Sequence, residues 1–133
     1  MQESGPASKL FGVLHVRVIQ AQFHIDTELF GNMDPYIILE HNKKKYQTTT
    51  KRDAGKHPVW NDTESFILHL TSITDEIKLS AYDQDIIYDD FLGMNIFKAS
   101  HFTQFEKCPG WVHLFIKTMK SGEIEIQTKL LVP

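Results

Sequence analysis

The stretch GEIEIQTKLLV, residues 122–132, alternates without a break. Ile124, Ile126, Thr128 and Leu130 fall on one side, and Glu123, Glu125, Gln127 and Lys129 on the other. Successive side chains of an extended chain point to opposite faces, so a period of two marks a strand with one packed and one wet face. The same period recurs in GVLHVRVIQAQ (12–22), where Leu14, Val16 and Val18 oppose His15 and Arg17. It recurs again in ESFILHL (64–70), with Phe66, Leu68 and Leu70, and in EIKLSAY (76–82), with Ile77, Leu79 and Ala81. Further strands are read at PYIILEH (35–41), KYQTTTK (45–51), FLGMNIF (91–97) and GWVHLFI (110–116). Short strands separated by segments bearing Gly, Pro, Asn and Asp predict an all-β fold, an eight-stranded antiparallel β-sandwich. Only ASHFTQFEK (99–107) has a helical pattern: Ser100 as cap, with Phe102 and Phe105 on one face, predicts one short helix. HNKKKYQ (41–47) reads as a hairpin tip.

A chain of 133 residues with 41% apolar and 23% charged side chains can bury an independent core. Residues 10–133 are expected to form one domain, behind a flexible segment 1–9. The formal net charge of −3 exerts no general pull toward nucleic acid or membranes. The single cysteine, Cys108, has no internal partner, and its setting KCPGW reads as a turn holding an idle thiol. MQESGPASK lacks the apolar core of a signal peptide, so the expected location is cytoplasmic and any membrane contact peripheral. Trp60 at a strand entry reads as a core filler, Asn61 as a turn residue, and Trp111 likewise as core. The seven histidines show no metal-ligand spacing, and His57 is read as surface.

The chemistry concentrates in two loops. In a sandwich, loops cluster at the two ends. If HIDTELFGNMDPY (24–36) and YDQDIIYDDFLG (82–93) emerge at one end, Glu28, Asp34, Asp83, Asp85 and Asp90 converge. An EF-hand is excluded, because the second loop lacks the glycine and the final acid that such a loop requires.

ELFGNMDPYIIL, PVWNDTESFIL and IKLSAYDQDIIYDDFLG together resemble the C2 domain signature. They match in order: an acid six residues before the Asp of a DPY motif, a Trp-Asn before an aromatic strand, then DxD with a further Asp just ahead of an apolar-Gly step. The resemblance spans about Val13 to Val132. Its strand order is similar to the circularly permuted arrangement called type II, found in small single-C2 proteins of plants and protists. It implies calcium held by loop carboxylates and docking on anionic phospholipid, with recruitment from cytoplasm to membrane. The implied ligands are Glu28 and Asp34, then Asp83, Asp85 and Asp90. Glu28 stands where the family usually has Asp, and Asp26 would substitute if that loop folded differently. The Asp85–Asp90 gap is one residue shorter than is common, which tightens the loop or promotes Asp89 to ligand.

Calcium takes six to eight oxygens in flexible geometry, which suits a two-loop carboxylate site better than magnesium's strict octahedron. Leu29 and Phe30, and Ile86, Ile87 and Tyr88, lie between the acids and are expected to enter the headgroup region once calcium cancels the rim's charge. A basic run, Lys43, Lys44, Lys45, Lys51, Arg52 and Lys56, holds six of the fourteen Lys and Arg residues. It is a candidate patch for anionic headgroups, including phosphoinositide, against the plainer reading of a solvated hairpin. Without aromatic interleaving or a recognition helix, nucleic acid is not an expected partner. The alternative reading is a calcium-independent protein–protein module with a vestigial metal site. No nucleophile–base motif or phosphate-cradling loop supports an enzyme.

Overall fold

The computed structural model describes residues 10–61, 64–103 and 109–132. The expected flexible segment 1–9, Phe105 and Cys108 lie outside the described residues. The elements are β1 (Gly12–Phe23), β2 (Pro35–His41), β3 (Lys44–Gln47), β4 (Ser65–Leu70), β5 (Glu76–Asp83), β6 (Asp90–Lys98), α1 (Ala99–Thr103), β7 (Pro109–Ile116) and β8 (Met119–Leu131). All neighbouring strands pair antiparallel, in the order β3-β2-β5-β6-β7-β8-β1-β4. Between β6 and β7 the pairing shrinks to Met94 opposite Phe115. The ribbon therefore folds there into two four-stranded layers, with the inner faces packed together.

Period-two alternation supplies that packing. Leu14, Val16 and Val18 of β1 and Ile124 and Ile126 of β8 meet Ile37 and Leu39 of β2 and Ile77, Leu79 and Ala81 of β5 in one core cluster. Trp60 is buried in it and donates its indole N–H to the Thr49 carbonyl at 2.8 Å. The layers close tightly at Gly93, whose φ is +137° and whose site leaves no room for a side chain: a Cβ there would lie 2.2 Å from the Ser121 hydroxyl.

Three expectations need correction. Trp111 is 42% exposed, not core. Val112 and Leu114 occupy the inner face of β7, so the pleat sends Trp111 outward. The helix begins at Ala99 rather than after a Ser100 cap. Its first N–H groups, of Ala99 and Ser100, bond instead to the carbonyls of Asp75 and Ile73 at 2.7 and 2.8 Å. The strand read at 45–51 stops at Gln47, and Thr48 then uses both its N–H and its hydroxyl on Ile37. The hairpin tip is tight: Asn42 and Lys43, with φ of 48° and 66°, form the two-residue turn between His41 and Lys44.

The register fixes where the loops go. Pro35 pairs with Asp83, so the start of β2 and the end of β5 coincide, and the 24–34 and 84–89 loops leave from one edge. The segment after β3 returns to the same edge, where Lys51 N–H bonds the Pro35 carbonyl at 2.9 Å and Gly55 N–H bonds Met33 at 3.0 Å.

Candidate metal centre and its rim

Asp83 ends β5 with its side chain buried at the base of the two loops. Its Oδ1 accepts the Asp34 N–H at 2.7 Å and its Oδ2 accepts the Thr27 hydroxyl at 2.8 Å. The Gln84 N–H returns a bond to the Asp34 carbonyl at 2.9 Å, so the loops are laced together at their roots. Above this base the carboxylates of Glu28, Asp85 and Asp90 lie with one oxygen each within 4.8 Å of one another. Such crowding disfavours ionisation. A hydrogen bond with Asp83 and that group's charge push Glu28 up to about 7, and burial and the charges of Asp85 and Asp90 add to the shift.

The other acids are engaged elsewhere. Asp34 accepts the Asp53 N–H at 2.6 Å and has Arg52 at 3.9 Å, so it faces the 51–56 segment. Asp26 caps its own turn through the Glu28 N–H at 3.0 Å. Asp89 accepts the Tyr36 hydroxyl on one oxygen and the Asp85 N–H, at 3.0 Å, on the other. Burial, and then the Asp89 bond and charge, raise the Tyr36 phenol above the usual tyrosine range, so it remains a donor. Thr27 and Tyr36 are the participants that sequence reasoning missed. Tyr36 was in view within the DPY motif, but nothing local points it at Asp89.

An open cleft lined by Glu28, Asp34, Arg52, Gln84, Asp85 and Ile86 gives access to the acids. Around it Leu29, Phe30, Ile86, Ile87 and Tyr88 are between 77% and 97% exposed. The basic residues do not form one patch. Lys43, Lys44 and Lys45 sit at the hairpin beside His41, whereas Lys51, Arg52 and Lys56 lie near the acid rim beside Pro35. The seven residues of β2 separate the two groups by about 20 Å. Among the described residues, no helix is long and apolar enough to cross a membrane.

Residues 12–114 match the C2 domain family. The chain belongs to that family. Synaptotagmin-5 of Arabidopsis thaliana is 30% identical over 119 residues, covering 89% of this chain and 21% of its own length. Elicitor-responsive protein 1 of Oryza sativa subsp. japonica is 32% identical over 88 residues, covering 62% of this chain and 55% of its own. Among solved structures, a C2 domain of plant Extended Synaptotagmin 1 shares the fold with a TM-score of 0.82 at 21% identity, over 94% of this chain and 98% of that one. This C2 domain thus spans about a fifth of the first of these curated relatives and about half of the second.

Proposed function

We propose that this C2 domain binds calcium at Glu28, Asp85 and Asp90, backed by Asp83 and Asp34, and so docks reversibly on anionic phospholipid. The observation that carries this reading is the position of three crowded carboxylates beside five exposed apolar side chains. The donors are all oxygens on two loops, which fits a hard ion of flexible coordination. The Glu28 carboxyl is held up to about 7 first by its hydrogen bond with Asp83 and then by the charge of Asp83, by burial and by the charges of Asp85 and Asp90, and a divalent ion would displace that proton. Calcium bound there would cancel the rim's negative charge and bridge to lipid phosphate. Leu29, Phe30, Ile86, Ile87 and Tyr88 would then enter the headgroup region. Lys51, Arg52 and Lys56 stand close enough to the rim to add attraction for anionic headgroups, while Lys43, Lys44 and Lys45 stand far from it. The domain has no catalytic role in this reading: the site opens on a rim rather than into an enclosed pocket.

The test is the unfolding midpoint in chelator, in millimolar calcium and in magnesium. Saturation at about a hundred times Kd adds roughly 2.7 kcal/mol, which shifts the midpoint by several degrees. Calcium-specific stabilisation followed by calcium-dependent sedimentation with vesicles rich in phosphatidylserine is the expected result. Equal midpoints in all three would favour the calcium-independent protein-binding alternative.

A further inference from the structure

We propose that Tyr36 and Asp89 form a latch that shapes the 84–89 loop, and that Asp89 is a positioning residue rather than a ligand. This rests on the calcium-binding reading of the acid rim. Both Asp89 oxygens are already committed, one to the Tyr36 hydroxyl and one to the Asp85 N–H. The Asp85 bond closes a five-residue loop, from Asp85 to Asp89, whose tip is Ile86, Ile87 and Tyr88. The Tyr36 bond fastens that closed loop to the sheet.

Tyr36 is a rigid anchor. It is only 7% exposed, pairs with Tyr82 across β2 and β5, and stacks on that ring at 5.6 Å and 20°. Tyr82 in turn meets the Phe91 ring at 5.6 Å. The three aromatic rings cross three strands in a row, so the phenol oxygen has little freedom to follow a moving loop. The latch therefore holds two things in place: the Asp85 backbone, whose side chain faces Glu28 and Asp90, and the apolar tip between Asp85 and Asp89. For Asp89 to ligate an ion, it would have to share an oxygen with one of these donors and leave the anchor set by a nearly buried phenol, and its carboxylate lies outside the Glu28, Asp85 and Asp90 cluster.

The test compares wild type, Tyr36→Phe, Asp89→Ala, Asp89→Asn and the Tyr36→Phe/Asp89→Ala double variant. Amide exchange of residues 84–89 in metal-free protein reads the latch directly, and calorimetric calcium titration reads its consequence. Tyr36→Phe and Asp89→Ala should each speed exchange in this loop, leaving β2 and β5 protected. Tyr36→Phe, which loses one hydrogen bond, should weaken calcium binding about five- to tenfold, and Asp89→Ala, which loses two, by at least as much. The double variant should be no weaker than Asp89→Ala, and Asp89→Asn, which still accepts a hydrogen bond, should be intermediate. Unchanged loop exchange in Tyr36→Phe overturns the latch. So does wild-type calcium affinity in Tyr36→Phe alongside loss in both Asp89 variants, which would make Asp89 a ligand. A wild type that binds no calcium overturns the proposed function instead, and the exchange measurement alone then decides the latch.

Discussion

Asp83 holds the backbone N–H of Asp34 at 2.7 Å across 49 residues of sequence, with its carboxylate removed from solvent. The two acids of the DxD pair therefore differ in kind. Asp83 is part of the scaffold that joins the loops, and Asp85, two residues on, stands in the open with Glu28 and Asp90. The end of the strand produces the difference: Asp83 is the last inward residue of β5, and the chain leaves the sheet directly after it, before Asp85.

That division predicts opposite outcomes for two neighbouring substitutions in metal-free protein. Asp83→Ala strips the Asp34 N–H and the Thr27 hydroxyl of their acceptor and should cost about 1–3 kcal/mol. Asp85→Asn removes one charge from a crowded cluster and should leave metal-free stability equal or slightly higher, while abolishing stabilisation by calcium. Urea unfolding with and without calcium checks both. A destabilised Asp85→Asn would contradict the picture of a repulsive rim.

Glu28 predicts a pH dependence with a definite sign. Its carboxyl rises from an ordinary 4.5 to about 7 in the folded chain. Between those values the native state binds more protons than the unfolded state, so metal-free stability falls as pH rises. Asp75, lowered by His41 and Thr71 against the effect of burial, and Glu123, lowered by Lys120, act below this window. The midpoint difference between wild type and Glu28→Gln, followed from pH 4.5 to 7 in chelator, should decline steadily. The decline should vanish in saturating calcium, which displaces the proton.

Gly93 tests the fold itself. Gly93→Ala places a methyl 2.2 Å from the Ser121 hydroxyl and 3.1 Å from the Leu114 Cβ, at a φ that side chains rarely adopt. Overpacking of this kind costs about 1–3 kcal/mol before backbone strain is added. Thermal unfolding should show a clear drop with the calcium response retained.

The strands were legible because alternation is local: EIKLSAY, with Ile77, Leu79 and Ala81 on one face, falls within β5 (Glu76–Asp83). The same alternation in GWVHLFI already sets Trp111 opposite Val112 and Leu114. The expectation of a core tryptophan came from residue type and gave way to the pleat. The helix start was not legible. Its N–H groups are satisfied by Asp75 and Ile73, some 25 residues earlier in the chain, so no capping side chain is needed nearby. The acids of the rim could be gathered from spacing alone. Their division into open and engaged could not, because it depends on N–H donors from Asp34, Asp53 and Asp85 that only the folded loops orient.

The exposed tips should govern membrane affinity separately from the metal. Phe30 and Ile87 sit on different loops, each more than 80% exposed, and neither is part of the core cluster. Phe30→Ser and Ile87→Ser should therefore leave the unfolding midpoint and calcium affinity of the isolated domain unchanged. Full burial of such a side chain in an apolar environment is worth roughly 1.5–3 kcal/mol. Each substitution should then lower the vesicle partition coefficient in saturating calcium by about one to two orders of magnitude, and the two effects should multiply. Calcium-dependent sedimentation over a series of lipid concentrations measures this. Undiminished binding in the double variant would mean that attachment is electrostatic alone, with the lipid phosphate meeting the ion and the cations near the rim while the apolar tips stay in water.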